Sequence, residues 1–424
     1  TSTKPAAAIA MWWPMSHNPP QTLVIWILGA LATVSPFAID LYLPAFSELA
    51  KRFSTTTAQV SLTVSSYFIG MAVGQILYGP LLDRFGRKLP LYAGLFIFSA
   101  ASLACIFAQS IEQLIAFRAI QALGGSVAWV AAVALVRDLF PAEESARIFS
   151  LLVLILGVSP LLAPTVGGFL TVAWGYPAVF VALALIAAAI LLVVWLYLPP
   201  GQAADKDVSL HLKPIFATFG KILAVPQFST YAFAGAFSFA TLFIYVAGSP
   251  AIFMDHFGIS ATAYGGIFAL LSVSFITSSQ LSIPLTRQFG SRAVFRAALF
   301  AQVVCSSAFL LAALLGWLNI YVTFAFFFGC LACIGLTNPN ATALALAPFT
   351  RNVGSASALL GFTQIGVSAL ASAGVGFFAS GNLVPIVGLL TGTTWLAVLV
   401  LLVGQKRIGS EHGVAGEATV QLHV

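Results

Sequence analysis

Two ionisable side chains lie where the chain is otherwise apolar on both sides. Asp40, in SPFAIDLYLPAF (residues 35–46), is the one carboxylate well inside a membrane-length apolar run. Arg118, in LIAFRAIQALGG (residues 114–125), is the one arginine so placed. An ionisable group at that depth costs about 2.5–3.5 kcal/mol on insertion scales, so its presence marks a function. Two chemistries fit Asp40: a carboxylate that pairs with another helix, or one that takes up and releases a proton while facing a central cavity. Pro36 and Pro44 bracket it and loosen the helical hydrogen bonding around it. A buried guanidinium needs an anion, and Asp40 is the intramembrane candidate for Arg118; a direct bridge and a water-linked pair both fit.

The elements that must position these groups are readable from composition. The chain is 60% hydrophobic and 7% charged, with a mean hydropathy of +1.01, whereas a soluble domain carries about 25% charged residues. A helix crosses a bilayer with about 20 apolar residues. That ruler predicts an all-α polytopic membrane protein with twelve spans at 22–46, 58–82, 89–109, 112–136, 147–170, 176–198, 228–253, 263–286, 293–315, 318–346, 353–379 and 384–403. The longest connection divides them into two sets of six, giving a tail (1–21), a first bundle (22–198), a linker (199–227), a second bundle (228–405) and a C-terminal tail (406–424). Within the linker Leu212, Ile215, Phe216, Phe219, Ile222 and Leu223 share one helical face, with Lys213 and Lys221 among the polar positions. That pattern predicts an amphipathic helix on the membrane surface.

Charge placement predicts the orientation. With the N-terminus in the cytoplasm, every one of the 18 Lys and Arg falls on the cytoplasmic side except Lys51, Arg52 and the intramembrane Arg118. This asymmetry satisfies the positive-inside rule with both termini cytoplasmic. The net charge of +6 therefore reflects topology, and no basic cluster beside stacking aromatics points to nucleic acid. No signal peptide is expected from TSTKPAAAIAMWWPMSHNPP. Cys330 and Cys333 form a CxxC, but inside an apolar helix, where small packing residues are expected and a metal is not. The five histidines lie in tails and loops, no HExxH occurs, and Gly220-Lys221 is followed by Ile where a phosphate-binding loop has Ser or Thr. Neither an enzyme nor an ATP-driven pump is indicated, and no cofactor is expected.

The two sets of six repeat. GPLLDRFGRK (79–88) follows the second segment and IPLTRQFGSR (283–292) the eighth, with Pro80, Leu81, Phe85 and Gly86 recurring as Pro284, Leu285, Phe289 and Gly290. Parallel repeats of this kind place a substrate site near the membrane midplane between the halves. Asp83, Arg84, Arg87 and Lys88 form a carboxylate–cation cluster that can latch one half against the other; the second copy has Arg287 in place of Asp83, so that latch is asymmetric. Positive-inside anchoring is the plainer reading of the same charges.

These motifs resemble the major facilitator superfamily of secondary transporters, and within it the twelve-helix drug:proton antiporters of the bicyclomycin-resistance (Bcr/CflA) branch. GPLLDRFGRK resembles the loop motif after the second helix, and LIAFRAIQALGG the fourth-helix motif, with Ala122 replacing a family glycine. GVSPLLAPTVGGFL (157–170) resembles the antiporter fifth-helix motif through Gly157, Pro160, Pro164, Gly167 and Gly168, with Ser159 and Ala163 replacing glycines. SPFAIDLYLPAF, GSPAIF (248–253) and GLTNPNATALAL (335–346) are similar to the branch itself.

The resemblance implies two pseudo-symmetric six-helix bundles in a bacterial inner membrane, a monomer, and proton-coupled export of small amphipathic drugs or antibiotics by alternating access. Asp40 and Arg118 are then the proton-coupling pair. The implied cavity lies among helices 1, 4, 7 and 10, with contributions from 2, 5, 8 and 11; its candidates are Phe37, Tyr42, Tyr67, Gln121, Trp129, Tyr245, Asn338, Asn340 and Gln364. Asn338 and Asn340 flank Pro339, where a helix break that exposes backbone groups is expected. Ala32 holds the place where some broad-spectrum relatives carry a second acid, so dications should be poor substrates. A proton-coupled transporter of one metabolite, such as an amino acid, peptide or metallophore, is the alternative.

Overall fold

A backbone in lipid must satisfy its own polar groups, and the computed structural model shows each of the twelve apolar runs doing so as a helix. The structure describes residues 20–199, 201, 204–205, 212–349, 353–378 and 383–420. The first bundle contains α1 (Gln21–Asp40), α2 (Phe46–Arg52), α3 (Thr57–Phe85), α4 (Lys88–Ile106), α5 (Ile111–Leu139), α6 (Ala142–Trp174) and α7 (Tyr176–Tyr197). A surface helix, α8 (Leu212–Leu223), precedes the second bundle: α9 (Pro226–Pro250), α10 (Ala261–Phe289), α11 (Ser291–Leu314), α12 (Ile320–Leu346), α13 (Val353–Phe378) and α14 (Val384–Val420).

The first span differs from expectation. It does not end near residue 46: after Asp40 a 3-10 turn, Leu43–Ala45, leads into α2, and the apolar unit runs to Arg52. Pro44 at the start of that turn needs no N–H donor there, so the chain bends without losing a hydrogen bond. The last helix continues to Val420, past its membrane-length apolar part, which ends at Ile408.

The sequence repeat has a structural cause. Gly86 and Gly290 cap α3 and α10 with φ of 76° and 80°, a left-handed region that a side chain disfavours. The N-caps repeat as well: Thr56 and Ser260 open α3 and α10, while Ser110 and Asn319 open α5 and α12, each side chain accepting from a backbone N–H three residues on. Small residues set the close crossings, as membrane packing requires. A Cβ on Gly94 would meet the Gly124 carbonyl at 2.8 Å, and one on Gly335 the Ser279 nitrogen at 2.9 Å.

Between the bundles, α3 packs on α13 and α6 on α10. The surface helix α8 buries Phe219 and Ile222 while Lys221 faces out, as its pattern predicts; its terminal Leu223 is exposed instead. The side chains of Leu212, Lys213, Ile215 and Phe216 lie outside the described residues.

Candidate functional site

Asp40 ends α1, one turn after Pro36, and is 6% exposed. The turn that follows carries the chain across the seam between the bundles: α6 of the first and α9 and α10 of the second all pack on Leu43–Ala45. Beside the carboxylate stands the Ser159 hydroxyl of α6, buried and without another partner. Tyr245 of α9 and Tyr264 of α10 lie close enough to feel its charge. The Tyr264 hydroxyl is engaged with Ser249 at 2.7 Å, whereas the Tyr245 hydroxyl is buried with no partner. Asp40 therefore sits where both halves contribute, with no cation paired to it among the described residues.

Arg118 is fully buried on α5 and makes no ion pair among the described residues. Its guanidinium lies between the rings of Tyr42 and Tyr67, 4.5 Å from each centroid. Desolvated cation–π contacts are worth about 2 kcal/mol, and here two aromatic faces take the place of an anion. Arg118 Nη1 donates to Gln121 Oε1 at 2.5 Å, and Gln121 Nε2 to Ser102 Oγ at 2.6 Å, while Nε and Nη2 have no partner. The Tyr42 hydroxyl pairs with Thr63 at 3.0 Å. Of the two arrangements left open for Asp40 and Arg118, the direct bridge is not made. The link between them is Tyr42, two residues beyond Asp40, whose ring covers the guanidinium.

Asp83, Arg84, Arg87 and Lys88 gather at the opposite end of the first bundle. Arg87 bonds Asp83 at 2.5 Å and grips Asp138 of α5 with Nε and Nη2 at 2.7 and 3.3 Å. Burial alone would lower the Arg87 pKa, but the two carboxylates hold it above its ordinary value. These contacts brace the first half, tying the end of α3 to α5. A cavity of about 730 Å³ opens beside it, lined by Gln75, Trp129, Arg137, Phe219 and Gly354 among others.

A family model for the Major Facilitator Superfamily matches residues 28–373. The chain belongs to that superfamily. A bicyclomycin resistance protein homolog of Haemophilus influenzae is 29% identical over 358 residues, 84% of this chain and 89% of that protein. Multidrug resistance protein D of Escherichia coli is 29% identical over 391 residues, 88% and 95% of the two chains. Among solved structures, a bacterial homolog of the human lysosomal transporter Spinster, inward-facing and unoccupied, superposes with a TM-score of 0.70 at 17% identity, over 92% of this chain and 96% of that one. A D-xylose–proton symporter gives 0.68 at 14% identity, over 89% and 96%.

In this facilitator the candidate cavity residues divide into groups. Tyr42, Tyr67 and Gln121 are buried around Arg118. Tyr245 is buried against Phe268 and Phe327, with centroids 5.3 and 5.1 Å away. Phe37 is half-buried, and so is Trp129, which reaches the cavity. Gln364 donates to Asn338 at 3.1 Å, joining α13 to α12. Asn340 is committed to packing: Thr286 donates to its oxygen at 2.9 Å, and its amide nitrogen donates to Ser282 and the Leu336 carbonyl at 2.8 Å each. The break expected at Pro339 does not occur; α12 is continuous through it.

The fifth-helix motif packs both ways. A Cβ on Gly168 would meet the Ala261 carbonyl of α10 at 2.6 Å; Gly167 faces the Leu41 carbonyl, one residue after Asp40; Gly157 faces Ile276 across the seam at 3.6 Å. Pro160 and Pro164 lie inside α6 without ending it. Sequence reasoning missed Ser159 as a neighbour of Asp40 because it appeared as a departure from a glycine pattern. It missed Asp138 because a carboxylate at a helix end is ordinary; its adjacency to Arg137 carried no distinguishing signal.

Proposed function

We propose that this chain is a proton-coupled exporter of small amphipathic drugs, working by alternating access in a bacterial inner membrane with both termini cytoplasmic. The supporting observation is Asp40: a nearly buried carboxylate without a cation among the described residues, at a seam built by both bundles. A group there changes surroundings when the bundles swing, so its proton affinity changes with the state. In the outside-facing state Asp40 takes up a proton, and it releases that proton to the cytoplasm as substrate enters. Arg118 holds Tyr42 in place behind it and supplies a fixed positive field. At about 100 mV one charge moved is worth roughly 2.3 kcal/mol, which supports a gradient of about forty-fold without ATP. The chemistry of the named relatives, bicyclomycin and multidrug resistance, supports drugs as the cargo, and the lone acid, with Ala32 two turns before it on α1, favours monovalent or neutral ones. The chain acts as a monomer. The test is antiport in proteoliposomes: Asp40→Asn retains substrate binding and loses pH-driven uphill export. Undiminished uphill export by that variant refutes the reading.

A further inference from the structure

The end of the molecule that carries Lys51 and Arg52 is closed by a carboxylate that has no part in the coupling scheme. Asp255 lies in the π-helical turn Ala251–His256, which follows Pro250 at the end of α9. Its Oδ1 accepts from the Ser47 hydroxyl of α2 at 3.0 Å, and its Oδ2 accepts from the Thr57 hydroxyl at the first residue of α3. Both donors belong to the first bundle and the acceptor to the second. One side chain thus clasps the two halves with both of its oxygens.

The clasp heads a layered seal. Below it the Ser65 and Ser372 hydroxyls, on α3 and α13, bond across the same boundary at 2.8 Å. On the far side of the seam α6 and α10 meet through backbone: a Cβ on Gly265 would touch Thr165 at 2.7 Å. Asp255 differs from these contacts in being exposed, beside a cavity of about 650 Å³ shared with Ser47, Lys51, Thr57 and His256. Water can therefore replace both hydroxyls as the clasp opens, so opening strands no buried charge. A contact that must break and re-form in every cycle needs that property.

We propose that Asp255 is the latch of the outer gate: its paired bonds to Ser47 and Thr57 hold the outside-closed state, and their release is the step that admits external water to the seam where Asp40 lies. This rests on the alternating-access reading above. The experiment places spin labels at Arg52→Cys and Thr262→Cys in the full-length chain, its four cysteines replaced by serine, and reads their distance by pulsed electron resonance. The parent should populate a short distance. Asp255→Ala should move a several-fold larger fraction to a longer one, and Ser47→Ala with Thr57→Val should do the same. Combining all three changes should add nothing, because a single clasp is removed either way. An unchanged distance distribution in Asp255→Ala overturns the proposal, as does full additivity. If Asp255→Ala does not fold, Ser47→Ala with Thr57→Val carries the same test. Persistence of uphill export in Asp40→Asn would sink the coupling scheme while leaving the distance result intact, so the two ideas fail separately.

Discussion

The two bundles share caps, crossings and a loop motif, yet their centres hold opposite chemistry. Arg118 and Phe327 stand the same number of residues past their N-caps, Ser110 and Asn319. Arg118 lies between two tyrosine faces and leaves two nitrogens without partners. Phe327 lies among Tyr245, Phe309 and Phe253, at 5.1, 5.1 and 6.2 Å. The glutamines differ in the same way. Gln121 points its oxygen at a charge, whereas Gln302 accepts from Ser238 Oγ and donates to the Ser238 carbonyl and Thr241 at 2.6, 3.1 and 3.2 Å. At this position the second bundle is aromatic and its glutamine fully engaged, while the first leaves two guanidinium nitrogens without partners among the described residues. A rocking transporter can thus keep its titrating chemistry in one half and use the other as a rigid opposing face.

The most severe way to test that division is to move the charge. Phe327→Arg buries a cation among aromatics with no anion, and uncompensated buried charge costs about 3–5 kcal/mol. We expect loss of monodisperse protein in detergent and a collapsed melting temperature; a stable variant would mean that the second bundle also tolerates charge. Next in size is Arg118→Lys. An ammonium cannot lie flat between two rings and fork toward Gln121, so uphill export should fall by about tenfold or more. Normal export would show that charge alone, without planarity, is enough. The glutamines separate the halves more finely. Gln302→Leu takes the donor from Thr241 and leaves the Ser238 hydroxyl only Thr337, and should cost about 1–3 kcal/mol of stability with little change in substrate affinity. Gln121→Leu should cost a similar amount and also lower export.

The spans were legible because about twenty apolar residues have few alternatives in lipid, and Asp40 and Arg118 because ionisable groups contrast with such runs. Their partners were not. Tyr42 and Tyr67 are aromatic residues in a chain where 13% of residues are aromatic, so nothing in the sequence says which rings face a guanidinium and which face lipid. Asn340 misled for a different reason: beside a proline it suggested an opened backbone, but its side chain and those of Ser282 and Thr286 form a cross-helix brace on an unbroken helix. Asp255 was hidden at a span end, where carboxylates are common and the two hydroxyls it meets lie 208 and 198 residues away in the chain.

The smallest expected effect is also the most discriminating about how Arg118 is held. The Tyr67 hydroxyl is buried beside the Ser35 hydroxyl without a hydrogen bond of normal geometry, whereas that of Tyr42 pairs with Thr63. Tyr67→Phe keeps the ring over the guanidinium and removes only an unused polar atom, so it should change stability by less than about 0.5 kcal/mol, in the stabilising direction if at all. Tyr42→Phe also keeps its ring but loses a made bond, which should cost about 1 kcal/mol. Tyr67→Leu removes the face itself, which should cost about 2 kcal/mol and depress export. Thermal unfolding of the three variants beside their transport rates checks the order. If Tyr67→Phe proves as damaging as Tyr67→Leu, the hydroxyl matters in another state of the cycle, and the π-faces are not what holds Arg118.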